Sequence, residues 1–119
     1  MEKVATLVSE WFDKWTTGDF LSLPVTETFT HTSPFGTIEG KRAYIEQVIA
    51  NKDKFLGYTF DILDALYYPD KACVRYIARQ DDFKLEVSEW YYIKDKSIDR
   101  VVAYYHIGEI REDRKLNDI

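Results

Sequence analysis

The feature that most constrains the fold is a change of hydrophobic period at Tyr58. From that residue onward, apolar and polar side chains alternate with a period of two, the spacing of a half-buried β-strand. Four segments carry this alternation: "YTFDILDALYY", "ACVRYIARQ", "FKLEVSEWYYI" and "IDRVVAYYHIGEI". Short polar connections, "PDK", "DD" and "KDKS", separate them, so the sequence predicts an antiparallel meander joined by hairpins.

The first half of the chain has mainly helical periodicity instead. Between residues 3 and 17 apolar side chains recur at offsets of three and four, which predicts an amphipathic helix that ends at Gly18. A strand is predicted at 25–32 and a second helix at 40–53. Helices followed by a meander predict an α+β domain, in which the helices pack on one face of a curved antiparallel sheet.

Length, charge and cysteine content exclude several classes of protein. A chain of 119 residues suits a single domain, and residues 111–119 are expected to form a solvated tail. The formal net charge is −5 and no run of lysine or arginine is present, so neither nucleic acid nor a membrane is an expected partner. The N-terminal residues lack the pattern of a signal peptide, and a lone cysteine is compatible with a reducing compartment. We therefore expect a cytoplasmic protein.

A single carboxylate interrupts an apolar face of the segment "FKLEVSEWYYI". Alternation places Glu89 on the same side as Val87 and Tyr91, where all other positions are apolar or aromatic. Burying an unpaired carboxylate is unfavourable, so Glu89 is expected to be paired, hydrogen-bonded or protonated. A carboxyl group with a raised pKa is a common general acid or base, which makes Glu89 a candidate catalytic residue. Purely structural hydrogen bonding is the alternative.

His31 lies in the predicted first strand, within "FTHTSPFGTIEG". Alternation gives four threonines one face of this strand and His31 the other, inward face. The inward set is Val25, Glu27, Phe29, His31, Ser33 and Phe35. Because histidine exchanges a proton in the physiological range, our hypothesis is that His31 and Glu89 meet in an apolar cavity under the first helix. A satisfied core histidine is the alternative.

Aromatic residues, 16% of the chain, are numerous enough to fill a core, line a pocket and build an interface. Trp11 and Trp15 on the first helix are expected in the core or in the wall of a pocket. Three tyrosine doublets, at 67–68, 91–92 and 104–105, each send one ring to each face of the sheet. Together with Trp90 they predict a homodimer through the outer sheet face. Half-exposed tyrosines on a monomer are the alternative.

Motifs for metals, nucleotides and covalent catalysis are absent from the sequence. Two histidines far apart and one cysteine make a poor zinc site, and no phosphate-binding glycine loop follows a strand. Ser33 lacks the context of a nucleophile elbow, and Cys73 is interpreted as a small packing residue. We expect a protein without a metal or cofactor.

The order of short motifs resembles that of a known superfamily over nearly the whole chain. A helix ending in "TTGDF" precedes a strand ending in "HTSPFG", then "EGKRAYIEQV" and a meander closing with "EWYYIKDKSIDRVVAYY". This pattern is similar to the SnoaL-like branch of the nuclear transport factor 2-like (NTF2-like) superfamily. The resemblance implies a cone-shaped α+β barrel around an apolar pocket, and dimers through the outer sheet face.

The resemblance leaves the activity open, because the superfamily includes ketosteroid isomerases, polyketide cyclases, dehydratases, epoxide hydrolases and noncatalytic binding modules. The ketosteroid isomerase pattern places its general-base aspartate at Ser33 and its oxyanion-binding tyrosine at Trp11. Its buried proton-donating acid falls on Glu89, where the acidic character is kept. Two of the three roles are absent, which argues against steroid isomerisation by that mechanism.

The sequence therefore predicts a cofactor-free domain that binds an apolar or aromatic small molecule. If the protein is an enzyme, Glu89 and His31 are its catalytic residues, in an isomerisation, cyclisation or dehydration. The residues expected to contact the ligand are Trp11, Trp15, Phe29, Ser33, Phe35, Tyr91 and Tyr105. A noncatalytic ligand-binding or dimerisation module is the alternative.

Overall fold

The N-terminal helix of the computed structural model, which describes residues 2–106, confirms the first predicted element. Helix α1 spans Glu2–Thr17, and its apolar stripe is buried at Val4, Val8 and Trp11. Gly18 has a φ of 80°, a left-handed conformation that glycine adopts without strain, and it ends the helix. No helix in the described range is long and apolar enough to span a membrane. The predicted tail at 111–119 lies outside the described residues.

The remaining elements match most of the predicted ones. After a single 3-10 turn at Phe20–Ser22, the order is β1 (Val25–Ser33), β2 (Gly36–Glu39), α2 (Lys41–Ala50), α3 (Lys52–Phe55), β3 (Thr59–Tyr67), β4 (Lys71–Gln80), β5 (Phe83–Lys94) and β6 (Ser97–Tyr104). The helix predicted at 40–53 is present as α2 and α3, and β2 is a strand that the sequence pattern did not predict. The last predicted strand ends at Tyr104, and its residues 107–110 lie outside the described range.

One open, curved sheet contains all six strands, in the order β2-β1-β6-β5-β4-β3. Strands β3 to β6 form the predicted antiparallel meander, and β1 pairs antiparallel with β2 and parallel with β6. The β5–β6 hairpin turns at Asp95 and Lys96, both with positive φ, as a two-residue turn of this kind requires. The helices cover one face of the sheet, which confirms the predicted fold class.

Buried and outward-facing side chains alternate along strand β5. Every second residue from Phe83 to Tyr91 is buried against the helices, and Glu89 is one of them with 4% exposure. The intervening residues face outward and are exposed or half-buried. Glu89 is therefore on the core face, as the sequence predicted.

Strand β1 departs from simple alternation near its start. Its register with β6 shifts within residues 25–30, and Glu27, predicted to face inward, is exposed. On the opposite face, the hydroxyls of Thr26 and Thr28 donate hydrogen bonds of 2.5 and 2.7 Å to Asp99 on β6. These bonds fix the irregular part of β1 to β6.

Candidate ligand-binding site

A cavity of about 190 Å³ lies between the inner face of the sheet and the helices. Residues from all three α-helices and all six strands border it, among them Trp11, Trp15, His31, Tyr44 and Glu89. Trp11 and Trp15 reach it together because residues four apart lie on the same face of a helix. Most of the wall is apolar or aromatic, so the few polar groups in it determine what chemistry the cavity can support.

Glu89 is held from two sides by tyrosine hydroxyls. The hydroxyl of Tyr76 donates to Oε2 at 3.1 Å, and that of Tyr91 donates to Oε1. Burial raises the pKa of Glu89 from 4.5 to about 7, although hydrogen bonds from Tyr91, Tyr76 and Trp11 partly oppose the rise. Near neutral pH both the ionised and the protonated carboxyl group are consequently accessible.

The sheet register explains how the two tyrosines come to share one carboxyl group. Tyr91 is two residues beyond Glu89 on β5, so both point inward. On β4, Val74 is directly opposite Glu89, and Tyr76 lies two residues further along the same face. Burial, and then the charge of Glu89, raises the pKa of Tyr76 and Tyr91 well above 10, so both remain protonated donors.

His31 contributes a neutral imidazole to the same cavity. It pairs with Val101 of β6 in the sheet, and its ring stacks on Tyr44 with 5.0 Å between the centroids. Burial lowers the pKa of the half-buried His31 from 6.5 to about 4. Glu89 and His31 both border the cavity, but within the described part of the chain they form neither a hydrogen bond nor an ion pair with each other. The hypothesis placed both side chains in one apolar cavity, and both border it.

The tryptophans on α1 form an aromatic wall. Their ring centroids are 5.8 Å apart, and Trp11 also contacts Phe29, Tyr44 and Tyr91 at 6.1 to 6.3 Å. Trp11 is buried and Trp15 is half-buried. The buried indole nitrogen of Trp15 has no hydrogen-bond partner among residues 2–106.

The structure divides the predicted ligand-contacting residues into two groups. Five border the cavity: Trp11, Trp15, Ser33, Phe35 and Tyr105. Phe29 and Tyr91, each with 0% exposure, do not border it. They lie behind the wall, because Phe29 packs on Trp11 and Tyr44, and Tyr91 turns its hydroxyl to Glu89.

Tyr44 and Tyr76 are two cavity residues that the sequence reasoning did not select as site residues. Tyr44 lies in the segment 40–53, for which the sequence analysis predicts only a helix. Tyr76 could have been found, because the two-residue connection "DD" sets the hairpin register that brings it near Glu89. Among the described residues there is no group of three or more His, Cys, Asp or Glu side chains that could hold a metal ion.

The fold of this chain is similar to that of solved proteins with which it shares little sequence identity. No protein-family model and no curated protein matches the sequence. An NTF2-like protein of unknown function from Cytophaga hutchinsonii is 19% identical, with a TM-score of 0.75 over 87% of this chain and 89% of that one. A proposed polyketide cyclase from Xanthomonas campestris is 16% identical, with a TM-score of 0.74 over 91% and 93%.

An LEH-like epoxide hydrolase from M. tuberculosis also has a similar structure. It is 11% identical, with a TM-score of 0.77 over 94% of this chain and 89% of that one. At such identities a structural likeness establishes the fold, while the activity has to be argued from the chemistry of the site.

Proposed function

We propose that this chain, which has the NTF2-like fold, binds an apolar or aromatic small molecule in its cavity and exchanges a proton with it through Glu89. The fold is the one that the order of the sequence motifs implied. One observation carries the proposal: a buried carboxyl group, with its pKa raised to about 7, borders an apolar cavity.

A carboxyl group that titrates near neutral pH can transfer a proton in both directions. General acid–base catalysis is most effective when the pKa of the group lies near the working pH. The carboxylate of Glu89 would take a proton from the ligand and return it at another atom, while Tyr76 and Tyr91 keep its two oxygens in place. Isomerisation, cyclisation and dehydration each require a proton transfer of this kind beside a developing negative charge.

His31 would orient the ligand in this proposal. With a pKa of about 4 it is neutral at neutral pH, so its imidazole donates one hydrogen bond and accepts another. The stack on Tyr44 fixes the plane of the ring. His31 therefore suits recognition of a polar group on the ligand better than delivery of a proton.

The structural relatives support small-molecule chemistry on this fold, since one is named an epoxide hydrolase and another is a proposed polyketide cyclase. Steroid isomerisation is disfavoured. Ser33 and Trp11 occupy the positions where the ketosteroid isomerase pattern has its base and its oxyanion-binding tyrosine, and a serine hydroxyl cannot act as that base near neutral pH.

The test of this function is a proton-exchange assay that does not require the natural substrate. Small aromatic and apolar ketones are first screened for binding by thermal stabilisation of the protein. Binders are then incubated with it in deuterium oxide, and exchange at their acidic C–H positions is followed by NMR. We expect exchange with the parent, and a loss of at least a hundredfold in Glu89→Gln.

Glu86→Gln is the matched control, because Glu86 is on the same strand but faces outward and pairs with Arg75. It should exchange at the parental rate. Unchanged exchange in Glu89→Gln would contradict the proposed role of Glu89.

A noncatalytic ligand-binding module is the second candidate, and one observation favours it. Both oxygens of Glu89 already accept hydrogen bonds from protein side chains, as they would at a purely structural position. This candidate predicts that ligands bind to parent and Glu89→Gln with similar affinity, and that neither protein accelerates proton exchange.

We further propose that two copies of the chain associate through the outer sheet face. Successive strand pairings align Leu66, Cys73, Trp90 and Val102 in one row across that face. Leu66 is 58% exposed, and Tyr104, two residues beyond Val102 on β6, is 60% exposed. A two-fold contact would cover this row with the same row of a second copy.

Cys73 is free, which fits the reducing cytoplasm in which we place the protein.

The dimer is tested by light scattering coupled to size-exclusion chromatography. Leu66→Lys puts a charge into the exposed row and should produce a monomer. Leu21→Lys is the control, because Leu21 is 73% exposed and lies in the 3-10 turn, outside the sheet. A monomeric parent at about 100 μM would contradict the proposal, since standard dimers bury about 800 Å² per partner and are stable at such concentrations.

A further inference from the structure

We infer that Tyr105 is a further catalytic residue, whose hydroxyl donates a hydrogen bond to a carbonyl oxygen of the ligand while Glu89 removes a proton from the neighbouring carbon. Ser33 positions Tyr105 for this role. The inference rests on the proposed function and adds the group that stabilises the negative charge formed in that reaction.

Tyr105 lies on the inner face of the sheet, close to Glu89. Tyr104, the last residue of β6, pairs with Ser88 of β5 and is exposed on the outer face. The side chain of Tyr105 points the opposite way, borders the cavity and packs against Phe35, with 6.2 Å between the ring centroids. Continuing the register by one residue makes Tyr105 and Glu89 diagonal neighbours on adjacent strands, within reach of an aromatic side chain.

Tyr76 has the corresponding position on the other side of β5. It pairs with Val87 and is therefore also a diagonal neighbour of Glu89, to which its hydroxyl donates at 3.1 Å. Tyr91 donates to the second oxygen of the same carboxyl group. The protons of these two hydroxyls are thus used to hold Glu89, which leaves Tyr105 as the neighbouring tyrosine that can serve a ligand.

Ser33 is placed to hold the Tyr105 hydroxyl without using its proton. The oxygen of Ser33 accepts the backbone N–H of Phe35 at 3.2 Å, and its single proton remains for another partner. Burial raises the pKa of Tyr105, a hydrogen bond with Ser33 partly opposes the rise, and the negative charge of Glu89 adds to it. A hydrogen bond that lowers the pKa of a tyrosine is one that the phenolic oxygen accepts. The Tyr105 proton is then left to donate to the ligand.

Ala103 leaves space for the reacting atoms between these groups. On one side it pairs with Glu89 of β5, and on the other the parallel register of β1 with β6 brings it next to Ser33. All three residues border the cavity, and strands two apart in a sheet are separated by about 10 Å. Because alanine has only a methyl group, a carbonyl group and its neighbouring carbon can lie over it, between Glu89 and the hydroxyl of Tyr105.

Proton removal and return involve only the ligand and these side chains. The Glu89 carboxylate takes the proton from the carbon next to the carbonyl group, the C–H electron pair forms a carbon–carbon double bond, and the carbonyl π electrons move to the oxygen. The enolate oxygen accepts the hydrogen bond of Tyr105, and return of the proton from Glu89 to a carbon atom restores the carbonyl group. A donor fixed where negative charge develops stabilises the transition state more than the bound ketone.

The test compares deuterium exchange of acetophenone, propiophenone and indanone in parent and Tyr105→Phe, which keeps the ring and removes the hydroxyl. We expect exchange to slow about a hundredfold, the usual effect of losing one donor to an oxyanion. Binding of the same ketone should weaken by about tenfold or less in isothermal titration calorimetry. Tyr104→Phe is the matched control, because this neighbouring ring is on the outer face and should leave rate and affinity at the parental level.

A contact between Tyr105 and the ligand can be observed directly by NMR. The ketone that binds most tightly is labelled with ¹³C at its carbonyl carbon, whose resonance moves to higher chemical shift when the oxygen accepts a hydrogen bond. In Tyr105→Phe the resonance of the bound ketone should move back to lower chemical shift, whereas in Tyr104→Phe it should stay in place.

A double-mutant cycle tests the positioning role of Ser33. Ser33→Ala alone should slow exchange by about tenfold, the effect of one lost hydrogen bond. The same substitution should have no further effect in the Tyr105→Phe background, because Ser33 acts through the tyrosine hydroxyl. Ser33→Thr keeps a hydroxyl group and should restore exchange. Losses that add in the double variant would overturn this role.

The outcomes separate this inference from the proposed function. Parental exchange in Tyr105→Phe, or an unchanged ¹³C resonance, overturns the role of Tyr105 and leaves that of Glu89 intact. An equal loss in Tyr104→Phe overturns it as well, because the effect would not depend on the inner hydroxyl. If the parent accelerates exchange of none of the three ketones, the proposed function fails and this inference fails with it.

Discussion

Replacing Glu89 with glutamine should change how the free energy of unfolding depends on pH. Glutamine keeps the shape of the side chain but cannot ionise. In the parent, burial raises the pKa of Glu89 from 4.5 to about 7. A group whose pKa is raised on folding stabilises the folded state fully below its unfolded pKa, and this stabilisation is lost as the pH rises through the folded pKa.

The magnitude follows from the two pKa values. A change from 4.5 to about 7 corresponds to about 3.4 kcal/mol in full. Between about pH 5 and about pH 8, the linkage relation gives a loss of about 2.5 kcal/mol for the parent and none for the variant at this position. His31 acts in the opposite direction, because its pKa falls on folding. The difference between variant and parent is therefore more informative than the parent alone, since His31 contributes equally to both.

The assay is urea unfolding of both proteins at the two pH values, followed by tryptophan fluorescence. The free energy of unfolding of Glu89→Gln minus that of the parent should be about 2.5 kcal/mol larger at about pH 8 than at about pH 5. Any constant gain or loss from altered hydrogen bonds cancels in this comparison. A difference that is the same at both pH values would refute the reasoning, because Glu89 would then titrate near 4.5 in the folded protein.

Three further substitutions test the neighbouring groups. His31→Gln should remove a loss of stability that the parent suffers as the pH falls from about 6.5 to about 4; acid unfolding of both proteins measures this, and identical profiles would contradict it. Tyr91→Phe should raise the pKa of Glu89 further, because the carboxylate loses a hydrogen-bond donor. NMR titration of labelled glutamate measures this pKa, and the same titration midpoint for Glu89 in variant and parent would disprove the prediction. Phe29→Ala should destabilise the protein by about 3–5 kcal/mol, and Phe35→Ala by less than half as much, since Phe29 is fully buried and Phe35 is half-buried; equal losses in urea unfolding would argue against this.

The elements that local patterns determine could be predicted from the sequence. Alternation along β5 depends only on neighbouring residues, so it identified Glu89 as a carboxylate on the core face. The helical stripe of α1 ends at Gly18 for a similarly local reason, the positive φ that this residue adopts. Hairpin connections of two to four residues left an antiparallel meander as the simplest arrangement of the last four strands.

Features that depend on distant parts of the chain could not be predicted in this way. Strand β2 has four residues with Ile38 as its one large apolar side chain, too short for a periodic signal. Glu27 faces solvent because the register of β1 with β6 shifts, and a register between remote strands leaves no trace in alternation. Which groups contact His31 and Glu89 also depends on distant elements, because Tyr44 of α2 stacks on His31 and Tyr76 of β4 donates a hydrogen bond to Glu89. Cavity volume, too, depends on side-chain packing that no pattern encodes.

The parallel pairing of β1 with β6 has a consequence for how the protein folds. His31 pairs with Val101, seventy positions later in the chain, so β1 has no central partner until β6 is available. During synthesis the meander can begin to assemble strand by strand from neighbouring segments, whereas the half of the cavity that carries His31 has to wait. Contacts between such distant segments slow folding, because the entropy of closing a long loop is lost before the contact forms. We expect the pocket to close in the final, slowest step, so that an unfinished chain already carries Glu89 but cannot yet enclose a ligand.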